Sequence, residues 1–192
     1  MKKMILLLFF SLTLNSFSQE KLFSFEASYP LLFGDTFVND NYSGLIDAGL
    51  KYRFYSFETF NIGAAFNGGY LRNTKDDTVI DADVKLFTLQ PKFFVELDAE
   101  DLPKFHPSIG VGYTFLNFEV TDMLNPDNPG STTFTETESG FNVNVGLLYD
   151  LTNKLFVQVQ YDLIKLKTDD GVPDIPYNKN IHLLKFGLGL YL

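Results

Sequence analysis

From Phe23 onward, apolar and polar side chains alternate with period two, and this rhythm recurs in eight separate stretches. Strands place successive side chains on opposite faces, so such a pattern reads as β-structure, not helix. Phe23, Phe25, Ala27 and Tyr29 alternate with Ser24, Glu26 and Ser28. Ile46, Ala48, Leu50, Tyr52 and Phe54 alternate with Asp47, Gly49, Lys51 and Arg53. Phe60, Ile62, Ala64, Phe66 and Tyr70 are set against Asn61, Gly63, Asn67 and Gly69. A fourth stretch sets Phe87, Leu89, Pro91, Phe93, Val95 and Leu97 against Lys85, Gln90, Lys92 and Glu96. Pro91 lacks the N–H of a ladder hydrogen bond, so a bulge or local distortion is expected there.

The fifth stretch opposes Phe105, Ile109, Val111, Tyr113 and Phe115 to His106, Ser108, Gly110, Gly112 and Thr114. The sixth opposes Phe141, Val143, Val145, Leu147 and Tyr149 to Asn142, Asn144, Gly146 and Asp150. The seventh opposes Val157, Val159, Tyr161 and Leu163 to Gln158, Gln160 and Asp162. In the last, Leu184, Phe186, Leu188, Leu190 and Leu192 alternate with Lys185, Gly187, Gly189 and Tyr191. Most stretches reach the length of roughly 9–11 residues that a tilted strand needs to cross a bilayer.

The connections alternate too. Those after the second, fourth and sixth stretches are short turns, around Phe57, Asp98 to Pro103, and Thr152-Asn153. Those after the first, third, fifth and seventh are long and polar: Pro30 to Tyr42, Arg72 to Ala82, Val120 to Ser139, and Lys167 to Asn180. One end of the structure therefore carries loops and the other tight turns, an asymmetry of outer-membrane barrels. The expected fold is all-β, an eight-stranded antiparallel up-and-down transmembrane β-barrel spanning residues 19–192. Ahead of it, Lys2 and Lys3, the apolar run Met4 to Phe10 and small residues near Ser16 and Ser18 predict a secretory signal peptide over residues 1–18.

Alternation alone does not say whether the apolar face meets lipid or lines a cavity, and a secreted lipocalin-like lipid-binding barrel also has eight strands. Glycines on the polar face (Gly49, Gly63, Gly69, Gly110, Gly112, Gly146, Gly187, Gly189) suit crowding inside a narrow cylinder. That face also carries charges of both signs, which can pair in a lumen. Tryptophan is absent, so the Gly-x-Trp of lipocalins is absent with it. These features favour an apolar face turned to acyl chains. On that face, Tyr29, Tyr70, Tyr113, Phe141 and Tyr161 lie toward the loops, and Phe23, Phe54, Phe60, Phe105 and Tyr149 toward the turns. They read as two interfacial aromatic girdles.

The chain, with its signal peptide, eight alternating strands, long acidic loops and terminal strand His182 to Leu192, resembles the OmpA-type small outer-membrane β-barrel superfamily. The resemblance implies an integral protein of the Gram-negative outer membrane, in contact with bilayer and lipopolysaccharide. It also implies recognition of the last strand by the barrel-insertion machinery, and a role in envelope structure or surface interaction, with a possible protein partner at the loops.

Candidate chemistry is sparse. There is no cysteine for a thiolate site, and the formal charge of −9 argues against nucleic acid. Only two histidines are present. His106-Pro107-Ser108 resembles the His-x-Ser of the outer-membrane lipid A deacylase family, with Glu119 as an approximate carboxylate, although Ile109 stands where members have asparagine. A lipid A-modifying enzyme is therefore the alternative to a non-enzymatic barrel. The acidic loop residues Asp35, Asp40, Asp76, Asp77, Asp122, Asp127, Glu136, Glu138, Asp169, Asp170 and Asp174 lack the spacing of a defined calcium loop. No cofactor or metal is expected. The remaining candidate is a lumenal charge network of Glu26, Asp47, Lys51, Arg53, Asp83, Lys85, Lys92, Glu96, Asp150, Asp162 and Lys185. It reads either as an ion-pair gate across a small pore or as a satisfied polar plug, since eight strands enclose little more than side chains.

Overall fold

The computed structural model describes residues 21–73, 82–122, 132–167 and 172–192. The signal-peptide expectation over residues 1–18 lies outside them. Eight strands follow one another around a closed barrel. They are β1 (Phe23–Phe33), β2 (Tyr42–Ser56), β3 (Phe60–Asn73), β4 (Ala82–Leu97), β5 (Phe105–Asp122), β6 (Thr132–Asp150), β7 (Leu155–Leu166) and β8 (Asn180–Tyr191). Every neighbouring pair is antiparallel, and β1 pairs with β8 to close the sheet, with Phe25 opposite Leu190 and Leu31 opposite Leu184. Closure gives the edge strands partners, so no open edge meets hydrocarbon.

The two faces divide as the period predicts. Phe66 and Val111 are 54% and 58% exposed on the outer wall, whereas Lys51 and Gln160 are 5% and 4% exposed inside. A soluble lipid-carrying barrel would have these faces reversed, and the secreted lipocalin-like alternative falls with them. A molecule with this outer wall is solvated by acyl chains.

Three details depart from the sequence reading. Two short helical turns, α1 (Phe37–Asn41) and α2 (Pro176–Lys179), sit in the first and last long connections. Local chemistry accounts for both. Thr36 caps α1 by accepting from Asn39 N at 3.3 Å, and Pro176 opens α2 at a position where its missing N–H costs nothing. The third long connection is also shorter than expected, because β5 and β6 continue pairing to Asp122 and Thr132.

At Pro91 the expected disturbance takes the form of a local distortion, not a bulge. Pairing of β4 with β5 lapses there and resumes at Lys92–Gly112 in the register already set by Leu89–Phe115. Gly112 makes this possible, since a Cβ on it would lie 2.4 Å from the Pro91 carbonyl oxygen. The irregularities fall instead in β2, between Gly44 and Ile46 and between Arg53 and Tyr55.

Candidate functional site

The lumen is built in layers along the barrel axis. At the turn end, Arg53 from β2 forms a two-pronged pair with Glu96 from β4, Nε to Oε1 at 2.8 Å and Nη2 to Oε2 at 3.0 Å. Its remaining nitrogen donates to Ser24 Oγ at 3.1 Å and to the Lys21 carbonyl at 3.2 Å. The planar guanidinium suits this fork, which a lysine could not match.

In the middle layer Lys51 Nζ lies 2.8 Å from Glu26 Oε2 and 3.2 Å from Gln158 Oε1. Asn67 donates to Glu26 Oε1 at 2.7 Å and to Asp47 Oδ1 at 3.2 Å, which links that pair to the next. Lys185 Nζ then joins Asp47 Oδ2 at 2.9 Å, Gln90 Oε1 at 2.8 Å and Asp162 Oδ2 at 3.0 Å. Lys92 Nζ lies 3.7 Å from Asp162 Oδ2 and has no hydrogen-bond partner among the described residues. Gln160 satisfies Asp162 Oδ1 at 2.6 Å. Glu26, Asp47, Glu96 and Asp162 thus face Lys51, Arg53, Lys92 and Lys185, and all eight are buried. Equal numbers of each sign keep this interior neutral, the condition under which buried charge is tolerable.

One predicted member of the network stands elsewhere, and the side chain of another lies outside the described portion. Lys85 is on the outer wall, where its ammonium lies 3.5 Å from Glu119 Oε1 on the facing strand and both side chains are over a third exposed. Period two places Lys85 on the same face as Phe87, so its grouping with Lys92 broke the alternation that defined the strand. Asp83 lies in β4, but its side chain is outside the described portion.

Asp150 sits apart from the neutral set, at the turn-end mouth. It pairs with Lys21, accepts from Tyr191 OH at 2.8 Å and lies 3.3 Å from His106 Nε2. His106 Nδ1 approaches Asp98 Oδ1 at 3.5 Å. Lys21, Arg53, Glu96, Asp98, His106 and Tyr191 line a cavity of about 280 Å³ at the turn end.

Above the charged layer the interior turns apolar. Leu32, Leu71, Leu86, Leu116, Ile164, Ile181 and Leu183 close the lumen beneath the loops, with Val38 of α1 packed on top. Sequence reading missed this cap. Each of these strand residues keeps the inward parity of its strand, and counting that parity through to the loop end would have found them. It also missed the inward aromatics Phe94 and Phe156, which fill space that glycine leaves. A Cβ on Gly63 would meet the Phe94 ring at 2.4 Å, and one on Gly189 would meet Phe156 at 2.0 Å.

Outside, the ten predicted girdle aromatics all point away from the lumen. Phe23 stacks on Tyr52 at 4.5 Å, and Phe105 meets Tyr149 at 4.8 Å, near the turns. Tyr70 meets Phe87 at 5.0 Å, and Tyr113 meets Phe141 at 5.5 Å, toward the loops. Phe60 packs on Phe57 at 4.3 Å, while Phe54 lies 6.2 Å from Tyr52. Tyr29 is exposed on the outer wall. His182 accepts or donates a 2.7 Å hydrogen bond with Tyr161 OH on this face.

The His106, Ser108 and Glu119 triplet does not assemble. His106 and Ser108 point inward at the turn end of β5, while Glu119 is on the outer wall with Lys85. At about 3.3 Å per strand residue the separation along β5 is roughly 40 Å. Among the loop acids, Asp40 accepts from Tyr177 OH at 3.0 Å and Asp174 pairs with Lys179. The hydrogen bond to Asp40 holds the Tyr177 phenol above its ordinary pKa. Asp76, Asp77, Asp127, Asp169 and Asp170 lie outside the described residues, as does the side chain of Asp122.

Comparison with known proteins agrees with this architecture. No curated protein matches the sequence. Among solved structures, Neisserial surface protein A superposes with a TM-score of 0.63 at 15% identity, covering 88% of this chain and 97% of that one. A major outer membrane protein of Thermus thermophilus gives 0.57 at 13% identity, covering 88% and 98%. The attachment invasion locus protein Ail of Yersinia pestis, solved with the heparin analogue sucrose octasulfate, gives 0.56 at 8% identity, covering 88% and 95%. At these identities the likeness is one of fold. The sequence profile of the outer membrane protein beta-barrel domain family matches residues 4–190. The chain therefore belongs to that family of small outer-membrane barrels, an integral protein of the Gram-negative outer membrane.

Proposed function

We propose that this barrel is non-enzymatic and acts in envelope structure or surface interaction through its loop end, with a lumen that is a plug and at most a small gated pore. One observation carries the reading: four buried cations and four buried anions occupy the centre of the cylinder, beneath an apolar cap. An ion entering from the loop side would first cross leucine and isoleucine side chains that offer it no ligand. It would then have to part Lys185 from Asp47 and Asp162. Each step is costly in a narrow, poorly hydrated interior.

The enzyme reading needs a nucleophile, a base and a carboxylate converging where lipid can reach them. His106 and Ser108 face the lumen, and Glu119 is on the outer wall near the other end of β5. His106 is better described as a structural bridge between Asp98 and Asp150.

Single-channel recording of the full chain in planar bilayers tests the plug. The expected record is a closed baseline with at most brief, small openings. Sustained large conductance would overturn the reading.

A further inference from the structure

Strand pairing around the barrel lapses at one place. β1 pairs with β8 from Ser24 to Phe33, but with β2 only from Phe23 to Ser28. From Tyr29 to Phe33 its ladder partners are on β8 alone, and from Tyr42 to Ile46 those of β2 are on β3 alone. Among the described residues, each of the other seven seams is paired to within one residue of the loop end of its shorter strand.

Two residues account for the lapse. Pro30 keeps its place opposite Lys185 on β8, so the donor that it lacks is the one that would face β2. On the other strand, the bulge between Gly44 and Ile46 leaves both Leu45 and Ile46 exposed on the outer wall. Gly44 packs directly onto β1, since a Cβ on it would lie 1.9 Å from the Pro30 carbonyl oxygen. The two backbones touch there without continuing the ladder, and parting them breaks none of its pairs.

Both sides of this seam are apolar. Inside, Leu32, Val38 and Tyr42 belong to the buried cap. Val38 and Tyr42 also line a cleft of about 360 Å³ that opens above the cap, together with Phe37, Phe118 and Leu166. That volume falls in the range of sites that hold small organic molecules. Outside, Leu31, Phe33, Leu45 and Ile46 are exposed. The ladder takes up again at Ser28 and Asp47, the level at which Asp47 holds Lys185. The lapse is therefore confined to the apolar layer and ends where the charged layer begins. It starts at Tyr29, one of the predicted loop-side girdle residues. On that placement the seam falls where acyl chains give way to headgroups, and water there can satisfy backbone groups outside the ladder.

We propose that the β1–β2 seam is a side passage by which a small neutral apolar molecule leaves the loop-end cleft for the loop-side leaflet, bypassing the headgroup layer. Parting of Pro30 from Gly44 opens it. A charged solute would be stripped of water among leucine and valine side chains, which is costly. The passage rests on the reading that the loop end is the working end of the barrel, and gives that end a class of ligand. It does not rest on the plug: sustained conductance would overturn the plug and leave the passage standing.

The test uses the full chain in the outer membrane of a Gram-negative host, with uptake of N-phenyl-1-naphthylamine read from the rise in its fluorescence. Anilinonaphthalene sulfonate shares the rings and adds a charge. The parent chain is expected to speed entry of the neutral dye severalfold over a host with empty vector, and to leave the sulfonate at the vector rate. The chain has no cysteine, so Leu31→Cys with Leu45→Cys can be joined across the seam by a short bis-methanethiosulfonate linker, with loss of both thiols checked by mass spectrometry. Linking is expected to return neutral-dye entry to the vector rate, and reductant to restore it. Val157→Cys with Leu188→Cys, a facing pair on the ladder between β7 and β8, is expected to keep the parent rate when linked. Heat-modifiable gel migration reports whether each variant is folded, and the comparison of the two dyes on the parent chain stands without any variant. Neutral-dye entry no faster than with empty vector, equal entry of both dyes, entry unchanged by the linker across the β1–β2 seam, or equal loss with either linker would each overturn the proposal.

Discussion

Lys185 Nζ lies 2.9 Å from Asp47 Oδ2, joining β8 to β2 across the intervening β1. The same ammonium reaches Asp162 on β7 at 3.0 Å, so one cation holds two buried anions on opposite sides of its own strand. Lys185→Met removes the cation and keeps much of its volume. Both carboxylates are then left with less compensation than they need, a loss on the order of 3–5 kcal/mol for a buried pair. Urea unfolding in detergent micelles, read by the gel shift between folded and boiled forms, is expected to show that loss. Adding Asp162→Asn to Lys185→Met is expected to recover part of it, because one anion is removed with the cation. A Lys185→Met barrel as stable as the parent would mean that the interior is wet enough to solvate both aspartates.

Gly189 and Phe156 are a second coupled pair. The ring occupies the position of the missing Cβ, and an alanine at 189 would place a methyl carbon 2.0 Å from it. Phe156 is fully buried against Tyr191 and Leu148, so the ring has little room to retreat. Gly189→Ala is expected to destabilise the barrel by about 1–3 kcal/mol, as overpacking does. Phe156→Leu in the same chain is expected to relieve much of that cost, and the double-mutant cycle in urea measures the coupling. Independent, additive effects would show that the two side chains do not compete for one space.

How far the fold could be read before any coordinates follows from these same residues. Period two placed Glu26, Lys51, Asp162 and Lys185 on one face because a strand permits only two directions, and a narrow cylinder turns one of them inward. The long and short connections set the direction of the barrel. Which carboxylate meets which ammonium was not legible. Lys185 reaches Asp47 two strands away, a neighbour relation that depends on closure and stagger, not on local sequence. The apolar cap was hidden for another reason. Leu86 and Leu116 are inward by parity but hydrophobic by type, so a reading that equated inside with polar passed over them. Lys85 shows the converse error, since a charge was assigned to the lumen by type although its parity placed it with Phe87. Helical turns as short as α1 and α2 carry no usable periodicity, and only the Thr36 cap and Pro176 foretold them.

His106 and Ser108 supply a prediction about chemistry. Both point into the lumen, and His106 is buried between Asp98 and Asp150. Ser108→Ala is expected to leave the acyl pattern of lipid A unchanged in cells expressing the chain, as read by mass spectrometry of extracted lipid. His106→Gln is expected to leave the same pattern unchanged while lowering the unfolding midpoint, since it disturbs the bridge to Asp150. Loss of an acyl chain with the parent protein, and its restoration by Ser108→Ala, would make this barrel an enzyme.

The outer wall gives the most direct test of the bilayer as solvent. Val145, Val111 and Phe66 are exposed side chains on inner portions of β6, β5 and β3, and in water each would be an ordinary surface position. There Val145→Arg would change stability little, because surface substitutions in aqueous proteins mostly fall within about 0.5 kcal/mol. In a bilayer the guanidinium must be carried into hydrocarbon or drawn to the interface along its stem, at a cost of about 2–4 kcal/mol near the midplane. Reversible unfolding of Val145→Arg from phospholipid vesicles should therefore show a penalty in that range, and Leu151→Arg, an exposed position past Tyr149 at the turn end of β6, should show a smaller one. The gradient is the decisive part. Equal and small effects at both positions would mean that neither side chain meets acyl chains, whereas a penalty that falls toward the turn end maps the lipid boundary on the barrel.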